Sequence, residues 1–198
     1  MPLPLAYRIS TKTIIIKSYD FSVKITPVKI FHQSSTWCIM ASSNEVKPGE
    51  FRGRSAGQER LETRDLGTCA GVVVTGEPHN GGETRFLLHL SLEQQQSEMS
   101  KVLSEFVEAV EKSGMRHMKG YMFTVDTNLN NDPNLMHNAY MMTEAHLLEK
   151  EYEHIEGELQ RLVGRGTVVH ETHPFNRVGH MEVDENNVVR VDGRRISE

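Results

Sequence analysis

Two short apolar runs face each other across a dense turn signal. Residues 70–75 (AGVVVT) and 84–90 (TRFLLHL) are rich in β-branched, aromatic and leucine side chains. Residues 76–82 between them hold Pro78, Asn80 and the adjacent Gly81 and Gly82. Runs this short with that composition suit strands, and the breaker cluster suits a reversal, so the pair predicts a β-hairpin. Downstream the period changes. Residues 93–113 place Met99, Val102, Leu103, Phe106 and Val110 at three- and four-residue spacings with charges between them, and Gly114 stands where a helix would end. A strand is expected over 119–126, an asparagine-rich loop over 128–134, and a second helix over 138–163. That helix carries Met142, Ala145, Leu148, Tyr152, Ile155, Leu159 and Leu162 on one stripe, and Gly164 closes it. Further strands are expected over 167–171, 179–183 and 188–191, the last two joined by a turn. About six strands with hairpins at both ends and two long helices predict an α/β sandwich with a mixed or antiparallel sheet, rather than a doubly wound parallel fold.

The charge distribution limits what else the chain carries. Residues 1–40 contain Arg8, Lys12, Lys17, Lys24 and Lys29 against the single acid Asp20, whereas the whole chain has a formal net charge of -5. No concentrated basic face is apparent, which argues against nucleic-acid binding, and no apolar run approaches the length of a membrane span. The first forty residues read either as an organelle-targeting segment or as an extension upstream of a start at Met40. Residues 42–57 are polar and contain Pro48, Gly49, Gly53 and Gly57, so they read as a linker. Residues 1–57 are therefore expected to be a disordered extension and 58–198 a single folded domain, in a cytoplasmic protein unless the extension targets an organelle.

The two cysteines, Cys38 and Cys69, sit in segments of different character and do not suggest a disulfide scaffold. Cys69 stands among small residues in Thr63-Arg64-Asp65-Leu66-Gly67-Thr68-Cys69-Ala70-Gly71, directly before an apolar strand. The glycines allow close approach of a substrate, and nearby amides can face a developing oxyanion. A cysteine attacks as its thiolate and needs a base. Of the ten histidines, His89 is the best placed, because the hairpin returns it toward the end of the sheet that carries Cys69. A third polar group would fix the imidazole tautomer; Thr63 is a candidate for this, and Asp65 is another.

The run TRDLGTCAG, residues 63–71, resembles the start of the CheD family of chemoreceptor glutamine deamidases, in which a threonine precedes Leu-Gly-Ser-Cys and a hydrophobic strand. His89 within Phe86-Leu87-Leu88-His89-Leu90 corresponds to that family's hairpin histidine. Asn176-Arg177 through Met181-Glu182-Val183 to Val188-Val189-Arg190-Val191 looks like its closing pattern. The resemblance implies a CheD-like fold over residues 58–195 or so and a triad of Cys69, His89 and Thr63. It implies hydrolysis of a protein glutamine amide through a thioester, with a protein as partner and no cofactor or metal. Residues 124–130 and Pro174-Phe175 depart from the pattern at loops expected to border the site, which points away from a chemoreceptor substrate. Protein N-terminal asparagine amidohydrolases look similar around the Thr-Cys and hairpin histidine, so an asparagine amide is the nearest alternative.

Two other classes compete. His170, His173 and His180 offer metal-ligand types, but residues three apart on a strand point to opposite faces, so His170 and His173 would share an ion only across a bend at Pro174. Alternatively, the fold serves as a non-catalytic protein-binding module that retains Cys69 and His89.

Overall fold

In the computed structural model the expected hairpin forms as β3 (Ala70–Glu77) and β4 (Glu83–Leu90), antiparallel, with Ala70 opposite Leu90, Gly71 opposite His89 and Thr75 opposite Arg85. The structure describes residues 44–92, 96–128, 139–164 and 168–196. The hairpin lies at the centre of a five-stranded sheet. Beside β4 runs β1 (Glu50–Ser55), and beside β3 run β5 (Arg116–Val125) and then β6 (Val168–His173). All neighbours are antiparallel except β5 and β6, which are parallel and joined through a helix, as a parallel crossover requires. The helices are α1 (Gln96–Ser113) and α2 (Ala139–Val163), and each is followed by a glycine with positive φ, Gly114 at 66° and Gly164 at 88°. A left-handed residue at that position closes a helix, and glycine adopts it without strain.

A second sheet, antiparallel throughout, has the order β2 (Leu61–Leu66), β7 (Gly179–Val183), β8 (Val189–Val191), β9 (Arg194–Arg195). Two apolar clusters show how the layers stack. Val72, Val74, Phe86, Leu88 and Leu90 pack with Leu103, Phe106, Ile155 and Leu159 of the helices. Val73 and Leu87, on the alternate positions, pack with Leu61, Leu66, Met181, Val183 and Val191 of the second sheet. The central strands are thus covered on both faces, which is why they read as unbroken apolar runs, whereas β7 alternates between buried and half-buried residues. The architecture is the expected α/β sandwich, with mixed and antiparallel sheets and two helices, and it has nine strands among the described residues rather than about six. No described helix is long and apolar enough to cross a membrane.

The domain begins earlier than the sequence suggested. Within the polar stretch read as a linker, residues 50–55 form β1, paired with β4 from Glu50 opposite His89 to Arg54 opposite Arg85. Val46 is buried in the core between the sheets. An edge strand needs one neighbour for its backbone and tolerates charges outward, so composition alone disguises it. Gly53 is a packing residue rather than a hinge, since a Cβ there would fall 2.6 Å from Cε1 of Phe86. The expectations for residues 1–43 and for most of the asparagine-rich loop lie outside the described residues.

Candidate active site

β2 is not a regular strand, and its irregularity shapes the site. Pairing with β7 runs from Leu61 opposite Val183 to Thr63 opposite Met181 and resumes only at Leu66 opposite Gly179. An extra residue is accommodated at exposed Arg64 and Asp65, with Asp65 at a φ of 56°. Such a bulge shifts the alternation, so Leu61, Thr63 and Leu66 all point inward. Thr63 therefore meets the five-stranded sheet from across the interior. Its Oγ1 lies 2.7 Å from Nδ1 of His89 on β4, and both side chains are buried.

The proton bookkeeping of this couple is decisive. The Thr63 hydroxyl donates to the carbonyl of Val46 at 2.9 Å. A hydroxyl has one proton, so toward His89 it must accept, and Nδ1 carries the hydrogen. Neutral His89 then presents an unprotonated Nε2, and that atom is buried with no hydrogen-bond partner among the described residues. Burial pushes the His89 pKa below its ordinary 6.5, against smaller opposing pulls from the Val46 carbonyl and the charge of Asp65. Asp65 acts on the ring only through space, and Thr63 makes the hydrogen bond. The supposed linker completes the arrangement: Val46 N–H donates to the Glu62 carbonyl, and Gly49 N–H donates to the His89 carbonyl.

Cys69 lies in the short strap, Gly67-Thr68-Cys69, by which the chain passes from β2 in one sheet to β3 in the other. It is half-buried and packs against the cluster between the sheets. Gly71 stands opposite His89, so residue 69, two positions earlier, is the diagonal neighbour of the histidine, and alternation puts it on the same face. A long side chain spans such a diagonal. Gly71 bears no side chain to intervene, and a Cβ there would meet Leu66 Cδ1 at 2.9 Å and Met181 Sδ at 3.0 Å.

Besides Val46, sequence reasoning missed a second member of the site. Tyr152 appeared only as part of the apolar stripe of α2, yet its hydroxyl donates to the Thr68 carbonyl at 3.0 Å. Burial pushes its pKa up, against a smaller opposing pull from the Val125 backbone, and ionisation of Cys69 pushes it further, so the phenol stays protonated beside the strap. The Thr68–Cys69 peptide is trans, as there is no cis bond among the described residues. Holding its carbonyl toward α2 turns the Cys69 N–H the opposite way. A tyrosine on an otherwise apolar stripe was the available signal, because a buried phenol needs a partner.

The three C-terminal histidines do not converge. His170 Nε2 lies 2.8 Å from Thr124 Oγ1, with its Nδ1 3.4 Å from Glu156. His173 packs edge-on against Phe123 with its Nδ1 near the Pro174 carbonyl. His180 belongs instead to a group with Glu62 and Glu182 whose ligand atoms lie within 4.8 Å of one another. Arg60 and Arg64 pair with Glu62, and Arg60 and Arg190 with Glu182, so those carboxylates already have counter-charges.

Two depressions share Thr68 in their walls. One, of about 620 Å³, runs along Gly67, Phe175, Asn176 and Arg177, bringing the Asn-Arg segment of the sequence to the strap. The other, of about 390 Å³, lies between Leu92, the start of α1 and the exposed side of α2. Compared with known proteins, the chain matches no family model and no curated relative.

Proposed function

We propose that the protein is a cysteine-dependent amidohydrolase that converts a glutamine side chain of a protein substrate to glutamate. The observation that carries this reading is the buried Thr63–His89 couple. It fixes the imidazole as a base with its lone pair on an unpartnered Nε2, on the face of the sheet that Cys69 shares. An orphaned buried nitrogen is costly in a purely structural histidine and useful in a base.

Burial favours neutral His89, so its Nε2 is available as a base. Nε2 takes the Cys69 proton as sulfur attacks the carboxamide carbon, and the oxyanion is held by backbone N–H groups, that of Cys69 among them. The imidazolium returns the proton to the departing nitrogen, and ammonia leaves a thioester on Cys69. Water, deprotonated by the same Nε2, then breaks the thioester, giving a carboxylate and the restored thiol. One amide and one water become one carboxylate and one ammonium, with no cofactor or metal in the balance. The triad resemblance in the sequence favours glutamine, with an asparagine amide the nearest other substrate.

The test is mass spectrometry of glutamine-containing proteins incubated with the wild type or with Cys69→Ala. A mass gain of amide to acid that requires Cys69 is expected. No Cys69-dependent conversion of any amide would refute the proposal and favour a binding module.

A further inference from the structure

We infer that the two depressions beside Thr68 are the halves of one substrate cleft. It receives an internal polypeptide segment with a basic residue on one side of the target amide and an acidic residue on the other. The inference takes only the identity of the reacting group from the amidohydrolase reading. Three observations carry it.

The depressions share Thr68, the residue directly before Cys69, so a chain whose target residue reaches the thiol extends into both. An N-terminal residue would fill only one. The exposed apolar surface is also placed there. Only three large apolar side chains are strongly exposed among the described residues, Met142, Leu147 and Val178. Leu147 lines one half and Val178 the other. Exposed apolar side chains at the two mouths of a site suit a macromolecular substrate better than a small amide.

The halves also differ in charge. On the α2 side, Glu144 and Glu151 line the wall about two turns apart, and neither has an ion-pair partner among the described residues; Glu151 meets only the Gln96 amide, at 3.5 Å. On the other side Arg177 is exposed, has no ion pair among the described residues, and no carboxylate lines the wall. A substrate cation beside the glutamates and an anion beside Arg177 each gain from proximity, at solvent-exposed strength. The gain is lost on reversing the order, which gives selection by charge direction as well as composition.

The experiment uses blocked peptides with a central glutamine flanked by Lys then Glu, by Glu then Lys, or by serines, together with one bearing a free N-terminal glutamine or asparagine. Turnover by the full chain is measured, and binding to Cys69→Ser is measured by fluorescence anisotropy. One mixed order is expected to exceed its reverse by roughly tenfold in kcat/KM and in affinity, with the difference fading in high salt. The double variant Glu144→Lys/Glu151→Lys should invert the preference. Equal turnover of all internal peptides, or preference for the free N-terminal residue, would overturn the cleft while leaving the hydrolase intact. If no peptide is turned over, the reaction assignment fails, and the binding arm alone decides the cleft: ordered affinity sustains it and indifference to order overturns it.

Discussion

Replacing Thr63 by valine removes one oxygen from the centre of the molecule and tests the proposed geometry at its narrowest point. The side chain is fully buried, and its hydroxyl accepts from His89 Nδ1 and donates to the Val46 carbonyl. Each such bond is worth about 1 kcal/mol net, and leaving two buried groups unpaired raises the cost, so the variant should lose about 3 kcal/mol. With a urea slope of about 2 kcal/mol/M, the unfolding midpoint should fall by about 1.5 M. The chemistry should suffer separately. Without an acceptor at Nδ1, the ring is free to carry its proton on Nε2, where it is no base. Losing a carboxylate orienter costs about 10⁴ in rate, and losing a neutral hydroxyl should cost about 10². Labelling by iodoacetamide in a Cys38→Ser background reports the state of Cys69 without a substrate. The valine variant should label about tenfold more slowly than its parent at neutral pH, and Thr63→Ser should restore both labelling and stability. A valine variant that melts within about 0.3 M of the parent and labels at the parent's rate would refute the reasoning.

Two further outcomes follow from the same site. Tyr152→Phe should keep the fold, at a cost of about 1 kcal/mol, and lower kcat about tenfold with little change in KM, because the Cys69 N–H loses its aim at the oxyanion rather than at the bound substrate; a raised KM at unchanged kcat would contradict that role. Burial depresses the His89 pKa from 6.5, so as pH falls through 6.5 the unfolded chain takes up a proton that the folded one resists. The His89 contribution to stability is therefore full above 6.5 and is lost as pH falls toward the depressed value. The acid limb of kcat/KM should lie below 6.5, and His89→Gln should flatten the pH dependence of the urea midpoint between 7 and 5. An acid limb above 6.5 would indicate a resting ion pair instead.

The parts of this fold visible in the sequence are those whose residues face apolar layers. The β3–β4 run is covered on both faces, and the helix stripes face a sheet, so periodicity and composition announce them. β1 and β2 were hidden for a physical reason. β1 is an edge strand held by backbone bonds to β4, and β2 carries buried Glu62 and Thr63 with a bulge that breaks its alternation. In the site, the spacing of Thr63 and Cys69 and the return of His89 by the hairpin were legible as local chemistry. Val46 and Tyr152 were not, since each acts through one carbonyl or hydroxyl contact set by tertiary packing, which leaves no mark on composition.

The Thr63–His89 contact joins strands whose sheet partners lie at very different distances along the chain. β4 has its partners β3 and β1 close by in the chain, whereas β2, bridged locally to residues 44–46, finds its sheet neighbour only in β7, where Leu61 pairs with Val183. Contacts of such sequence separation close late, after the local hairpin and helices have formed. During synthesis a chain that has emerged only through α2 already displays Cys69, yet lacks the sheet neighbour of β2. In the proposed amidohydrolase the site is therefore completed only with the C-terminal strands, and a chain truncated after α2 is expected to label at Cys69 like an ordinary thiol.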